Sequence, residues 1–423
     1  MPKLAQPEVK AAWKPGFFSR LAALIASQAV QDGVLSLLLL WLARTDQSGY
    51  GLFVFGAGVA AMMRSVLALG LDQYAIREFA LAEQPRADLL RQMVRLKSLL
   101  SLLILAGLAG FSLVKGWGTH QALVVLVISL GRALDGVADA FFAVYRADGR
   151  QVREGAFQAL ANLSAAAWGV AAMLLGLGVL GLASFVVLAG GLKVALAVQG
   201  GLKLDLSRWW SFELGFLPAG QVRAVLTIAG VSVLGSLYNY AQIFLLKQFH
   251  PLVEVAVYGA ASDLANYLSG LVSSLLIGAI LYPHLAQAAT RGRGEVALMT
   301  RRYLGRLGLL GLAAGLFLST LGGLVLTLLY GAKYEASVPL LRILGPATTL
   351  SFVNNLAIFA MLALREERRL LTYHLLPAGL CFGLGLWLIP WLGAEAAAIN
   401  LLAARLGMFF LAVGWVYFKL LRR

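Results

Sequence analysis

Leu309-Leu310-Gly311-Leu312-Ala313-Ala314-Gly315-Leu316-Phe317-Leu318 is a run of ten residues without a charge or a hydrogen-bonding side chain. A strand of a membrane barrel would alternate polar and apolar residues over about ten positions, and this run does not alternate. A helix satisfies its own backbone hydrogen bonds and so can carry such a run through lipid. The run lies inside an apolar stretch at 303–330, beyond the roughly 20 residues that a crossing requires.

Working outward from it gives eleven more stretches of this kind, at 16–43, 50–72, 97–114, 121–146, 154–177, 180–200, 223–249, 257–283, 337–364, 370–391 and 395–420. The chain of 423 residues is 60% hydrophobic and 13% charged, with a mean hydropathy of +0.81. A soluble chain of this length has no interior large enough for so much apolar surface. The expected fold is an all-α integral membrane protein of twelve helices. Cys381 is the single cysteine, and His120, His250, His284 and His374 have no metal-ligand spacing, so disulfide frameworks, metal sites and cofactors are not expected.

The net charge of +15 would suggest a nucleic-acid partner in a soluble protein. Here it reads as orientation, and no nucleic-acid partner is expected. With the N-terminus inside, 26 of the 35 Lys and Arg fall on cytoplasmic segments and four, Arg44, Lys115, Lys247 and Lys333, on the outer loops. That asymmetry follows the positive-inside rule and puts both termini in the cytoplasm. The first stretch follows a basic segment as a signal peptide would, but Gln28, Gln31 and Asp32 within it favour a retained helix. The Trp209-Trp210 segment reads as an interfacial connector, which divides the chain into an N-terminal lobe at 1–200, a linker at 201–222 and a C-terminal lobe at 223–423.

The halves share short matches. Tyr50-Gly51 and Tyr258-Gly259 open the second and eighth helices, Leu130-Gly131 and Leu344-Gly345 lie in the fourth and tenth, and Arg146 and Arg365 close these. Their order predicts parallel repeats with a substrate path between halves.

Charges inside spans are costly, about 2.5–3.5 kcal/mol each on insertion scales, and so point to sites. Arg132, Asp135 and Asp139 share one face of the fourth helix. Two readings are open: an ion pair that locks this helix to a neighbour, or a polar stripe on an aqueous cavity. Asp263 and Asn266 in the eighth helix, and Thr348, Ser351 and Asn355 in the tenth, form further stripes. Arg64 and Arg405 sit too deep for snorkelling and are candidates for cavity lining. Arg342 lies near the outer end, and Lys193 is close enough to the cytoplasmic side for its stem to reach the headgroups. The Gly176, Gly178 and Gly181 pattern matches a nucleotide-binding expression but reads as a turn, since no strand precedes it. The pairs Gly311 and Gly315, and Gly379 and Gly383, predict close helix packing within the bundle.

Three blocks carry a family resemblance: Leu42-Ala43-Arg44 with Tyr50-Gly51-Leu52-Phe53, then Leu69-Gly70-Leu71 and Ile76-Arg77-Glu78; Leu328-Leu329-Tyr330-Gly331-Ala332-Lys333-Tyr334 with Val338-Pro339-Leu340-Leu341-Arg342; and Ile389-Pro390-Trp391-Leu392-Gly393-Ala394. In order and spacing the chain resembles the MOP flippase superfamily and, within it, the Wzx-like polysaccharide or O-antigen flippases of the PST type. The resemblance implies two six-helix lobes in a MATE-like parallel repeat, set in the bacterial cytoplasmic membrane. It also implies the substrate, a polyprenyl-diphosphate-linked oligosaccharide of O-antigen or exopolysaccharide synthesis, with membrane lipids and a polysaccharide polymerase machinery as partners. Many relatives carry an arginine and an aspartate in the seventh helix, where this chain has Asn239, Tyr240, Ala241 and Gln242.

For such a substrate the candidate cavity residues are Arg64, Arg132, Arg342, Arg405, Asn239, Gln242, Asn266 and Asn355, because guanidinium forks suit phosphate. Asp32, Asp135, Asp139 and Asp263 are candidates for arginine partners or for coupling to H+ or Na+. Two other functions stay open: a cation-coupled multidrug exporter, expected to favour acidic over basic cavity residues, and a membrane enzyme of polysaccharide assembly. The enzyme reading needs a substantial outer loop, and the longest outer segments hold about ten residues.

Overall fold

The computed structural model describes residues 33–68, 86–199 and 219–421. Among these there is no strand, and nine helices are long and apolar enough to cross a membrane. In chain order the first elements are α1 (33–45), α2 (Gln47–Ala68), α3 (Arg86–Val114), α4 (Thr119–Ala147), α5 (Gln151–Leu174), α6 (Gly178–Gln199) and α7 (Ala219–Phe249). Then come α8 (Leu252–Leu271), a π-helical segment (Val272–Leu281), α9 (Tyr282–Arg291), α10 (Arg293–Thr320), α11 (Gly322–Tyr330), a 3-10 turn (Ala332–Ser337), α12 (Val338–Ala363) and α13 (Glu367–Trp415).

The difference between nine and the twelve stretches of the sequence has three local causes. The first stretch lies mostly outside the described residues, and α1 is short. The eighth is divided by the π segment between α8 and α9. The last two are fused in α13, which turns sharply at Gly393, where φ is 53° and ψ is −128°. The expected linker at 201–222 lies mostly outside the described residues, as do the motifs Leu69-Gly70-Leu71 and Ile76-Arg77-Glu78.

The Gly393 turn costs α13 two hydrogen bonds, and the α7–α8 hairpin replaces both. Breaking the helix frees the Ile389 carbonyl, which accepts from His250 Nε2 at 2.7 Å. It also frees the Ala394 N–H, which donates to Glu254 Oε1 at 2.9 Å. Backbone groups left bare in an apolar setting are expensive, so these two side chains fix where the helix turns.

Outward-facing apolar residues such as Leu103 and Trp391, 68% and 82% exposed, are the lipid surface of the bundle. Inside it, glycines bring helices together. A Cβ on Gly51 would strike the Leu252 carbonyl, and one on Gly259 would lie 2.9 Å from the Val54 side chain, so the two Tyr-Gly motifs meet at the crossing of α2 and α8. The Leu-Gly motifs do not behave as a repeat: Gly131 packs on α6 at Val186, whereas Gly345 packs on α10 at Gly315. Gly311 and Gly315 pack as expected, against α12. Gly379 and Gly383 do not, since nothing lies within 4 Å of a Cβ at either. Gly176 and Gly178, with φ of 73° and 53°, form the turn between α5 and α6.

The apolar cores are arranged unevenly. At one end of the bundle a single core joins both halves, running from Leu42, Tyr50 and Phe55 to Val255, Tyr258, Tyr334 and Leu341. Toward the other end each half has its own: Leu89, Met93, Phe141 and Ala197 in one, Leu285, Leu307, Met361 and Trp415 in the other. The halves thus share one apolar core at one end and have separate cores toward the other, with the polar interior between them.

Candidate functional site

The joined end is closed by polar contacts as well as by its core. Arg44, at the end of α1, donates from Nε to the Leu329 carbonyl at 2.7 Å and from its second terminal nitrogen to the Leu328 carbonyl. Lys333 returns a bond to the Arg44 carbonyl at 2.6 Å, and the Tyr334 hydroxyl donates to the Ala43 carbonyl at 3.3 Å. Behind them Tyr50, Tyr330 and Tyr334 pack ring to ring, with centroids 5.3–6.0 Å apart. The Tyr50 hydroxyl donates to Asp263 at 2.8 Å.

Below this closure a cavity of about 590 Å³ lies between the halves, lined from α1, α2, α4, α7 and α8. Arg64, Arg132 and Asp263 all face it, together with Ser65, Ser232, Ser236 and Tyr240. Both guanidiniums belong to ion-pair networks that run back into the N-terminal half. Arg132 binds Asp135 at 3.0 Å, as the i, i+3 spacing predicts, and Lys193 binds the other oxygen of the same carboxylate at 2.9 Å. The headgroup expectation for Lys193 is thereby corrected: it is 6% exposed. The reason is Gly190, one turn earlier, where a Cβ would lie 2.6 Å from the Gly131 carbonyl. That approach of α6 to α4 puts the ammonium within reach of Asp135.

Asp139 accepts from Arg64 at 2.8 Å and lies 3.7 Å from Arg146, which also pairs with Glu154 at 2.6 Å. Asp135 and Asp139 are therefore arginine partners in this structure. Lys97, at the start of the third apolar stretch, is 1% exposed and donates to the Gly136 carbonyl at 2.9 Å.

A second cavity of about 350 Å³ lies within the C-terminal half and shares Ser236 and Tyr240 with the first. It gathers Asn239, Asn266, Asn355 and Arg405 from α7, α8, α12 and α13, and also Asn354, Ser351 and Tyr238. Its lining contains no carboxylate. Arg405 is 5% exposed; one terminal nitrogen donates to Asn266 Oδ1 at 3.2 Å, and the other, Nη1, is buried without a hydrogen-bond partner. Asn354 supports the site by donating to the Arg405 carbonyl at 2.9 Å. A hydrogen bond to a charged group contributes about 1.5–3 kcal/mol, less than an unpaired buried charge costs. This guanidinium is under-compensated as it stands.

Three candidates fall elsewhere. Gln242 is buried and lines neither cavity; its amide donates to the Tyr238 carbonyl at 2.8 Å and to Cys381 at 3.2 Å. Arg342 is exposed near the start of α12 and lines neither cavity. Asp32 lies outside the described residues. Sequence reasoning missed Tyr240, Ser236 and Asn354 as lining residues. Serine and tyrosine carry no insertion cost that would mark them out, and the stripe spacing that selects Asn355 skips its neighbour Asn354.

No protein-family model and no curated protein sequence matches this chain. Solved structures match its fold. The inward-facing conformation of a multidrug resistance MATE family transporter of the MOP superfamily superposes with a TM-score of 0.71 at 13% identity, over 95% of this chain and 98% of that one. An outward-facing conformation of a transporter so described gives 0.60 at 16% identity, over 95% and 96%. A MOP superfamily transporter from Pyrococcus furiosus Vc1, for which a binding pocket of reverse polarity suggests a different function, gives 0.59 at 14%, over 95% and 94%. The chain is an all-helical membrane protein with the fold of the MATE transporters of the MOP superfamily.

Proposed function

We propose that the protein is a flippase that moves a polyprenyl-diphosphate-linked oligosaccharide across the bacterial cytoplasmic membrane by alternating access. The observation that carries the transport mechanism is the uneven core, one shared end and two separate ones around a polar cavity. Two lobes joined in this way can rock about the cavity so that each end closes in turn. By the distribution of loop charges the joined end faces outward, which makes this an inward-facing state. The higher TM-score against the inward-facing relative than against the outward-facing one supports that assignment.

The substrate comes from the sequence resemblance, and the chemistry of the cavities supports it. Asn, Ser and Tyr side chains suit sugar hydroxyls, the guanidiniums of Arg132 and Arg405 suit phosphate oxygens, and the prenyl tail remains in lipid between helices. Membrane lipids and a polysaccharide polymerase are the partners in this reading. Asp263 is the coupling candidate for H+ or Na+ among the described residues, since it faces the central cavity and its observed partner is a tyrosine hydroxyl.

Reconstitution in proteoliposomes tests the proposal. Lipid-linked oligosaccharide loaded into one leaflet becomes accessible to an impermeant glycosidase on the other only if it is flipped. The competing reading, a cation-coupled multidrug exporter, is favoured by the same Asp263 and by the multidrug relatives. Drug efflux without movement of the lipid-linked sugar would establish it and sink the flippase.

A further inference from the structure

We propose that the chamber of the C-terminal half is an oxyanion-binding subsite anchored by Arg405, and that it takes the anionic group of the transported molecule. This deepens the flippase reading and rests on it for the identity of that molecule. The cations of the N-terminal half that approach the central cavity have carboxylate partners: Arg64 has Asp139, and Arg132 and Lys193 share Asp135. In the C-terminal chamber Arg405 has a neutral amide from Asn266 and a bare Nη1. No carboxylate lines that space, so an anion entering it meets attraction without an internal competitor.

The geometry has the remaining features of a built site. Arg405 is 5% exposed and its guanidinium is bonded to Asn266, so it is held in position before ligand arrives. Asn354, which also lines the chamber, has an Oδ1 that is buried without a partner. Asn239 and Asn355 add donors and acceptors on the facing helices. A cavity of about 350 Å³ holds an oxyanion together with adjoining polar groups. Phosphate oxygens of a diphosphate and the carboxylate of an acidic sugar share the two-oxygen edge that a guanidinium fork accepts. Either is the expected ligand chemistry.

Calorimetric titration of the purified full chain in detergent tests the site with three probes: inorganic pyrophosphate, glucuronate and glucose. Wild type should bind pyrophosphate or glucuronate saturably, and whichever binds identifies the source of the oxyanion. Arg405→Gln should weaken that binding at least tenfold and Arg405→Lys by less, because the lysine keeps the charge and loses the fork. Arg342→Gln, at an exposed residue that lines neither cavity, should bind as wild type does. If Arg405→Gln is not recovered folded, Asn355→Trp, which puts an indole into the chamber and leaves Arg405 in the chain, should abolish binding in its place. Absence of binding by either anion, or unchanged binding in Arg405→Gln or Asn355→Trp, would overturn the site. Loss of binding in the variants of a wild type that moves no lipid-linked sugar would leave the site standing and sink the flippase. Flipping by a protein whose anion binding ignores Arg405 would do the reverse.

Discussion

The Tyr50 hydroxyl donates to Asp263 at 2.8 Å, joining the start of α2 to the middle of α8 beneath the closed end of the bundle. Each residue comes from a different half, and their neighbours Arg44, Tyr330, Lys333 and Tyr334 complete the same closure. The bond therefore belongs to this closed state, since parting the halves at this end must break it.

Removing it should shift the balance of states. Tyr50→Phe keeps the ring packing and deletes a hydrogen bond to a carboxylate, a loss of about 1.5–3 kcal/mol. That corresponds to roughly a ten- to hundredfold change in the ratio of protein closed to protein open at this end. Thiol labelling of a cysteine placed at Tyr330 should rise in the Tyr50→Phe background. The native Cys381 is buried and should contribute little signal. Unchanged labelling would mean that this bond does not hold the closure.

Covalent locking tests the same end independently. Gln47 and Lys333 lie across the closure, linked by a bond from the Gln47 amide to the Lys333 carbonyl. The Gln47→Cys, Lys333→Cys pair should be bridged by a short bismaleimide, and the bridged protein should retain less than roughly a tenth of the proposed transport, because the proposed alternating access requires this end to open. Full transport after complete bridging would reject opening at this end.

The shared carboxylate of Asp135 should be a stability determinant. Asp135→Asn leaves Arg132 and buried Lys193 facing each other without an anion, and breaking a buried pair costs about 3–5 kcal/mol. The double change Asp135→Asn, Lys193→Met should recover more than half of that loss. Thermal midpoints of the purified variants give the comparison, and a double variant no better than the single would show that the ammonium is not the source.

Glycines should sort by contact rather than by motif. Gly51→Val forces a side chain into the Leu252 carbonyl and should prevent recovery of folded protein. Gly379→Ala meets nothing within 4 Å and should be neutral or slightly stabilising, since alanine favours helix by about 1 kcal/mol over glycine. Yield and monodispersity on size exclusion distinguish them, and equal behaviour would contradict the crossing of α2 and α8.

Arg365 occupies a left-handed turn between α12 and α13, with φ of 57°, whereas Gly116, Gly149 and Gly176 occupy the corresponding position in three other hairpins. A left-handed conformation costs a non-glycine residue about 1–2 kcal/mol, so Arg365→Gly should raise the thermal midpoint slightly. A fall would show that the arginine side chain contributes more there than the strain removes.

Sequence by itself determined the class of fold and the identity of most charged residues inside the membrane. Continuous apolar runs such as 309–318 admit one backbone solution in lipid. A charge within a span is costly enough to stand out from its neighbours, which singles out Arg64, Arg132, Asp135, Asp139, Asp263 and Arg405. The Arg132–Asp135 pair is legible too, because one helical turn sets that distance.

What only the tertiary structure decided was who pairs with whom across helices. Lys193 reaches Asp135 because Gly190 lets α6 approach α4, and no pattern along either helix encodes that approach. Lys97 is buried and bonded to the Gly136 carbonyl on a neighbouring helix, a partner that no pattern along its own segment names. The same holds for Arg405, whose lack of a carboxylate is a property of four helices packed together. Insertion cost is local and legible in one segment, whereas charge compensation depends on distances between segments far apart in sequence.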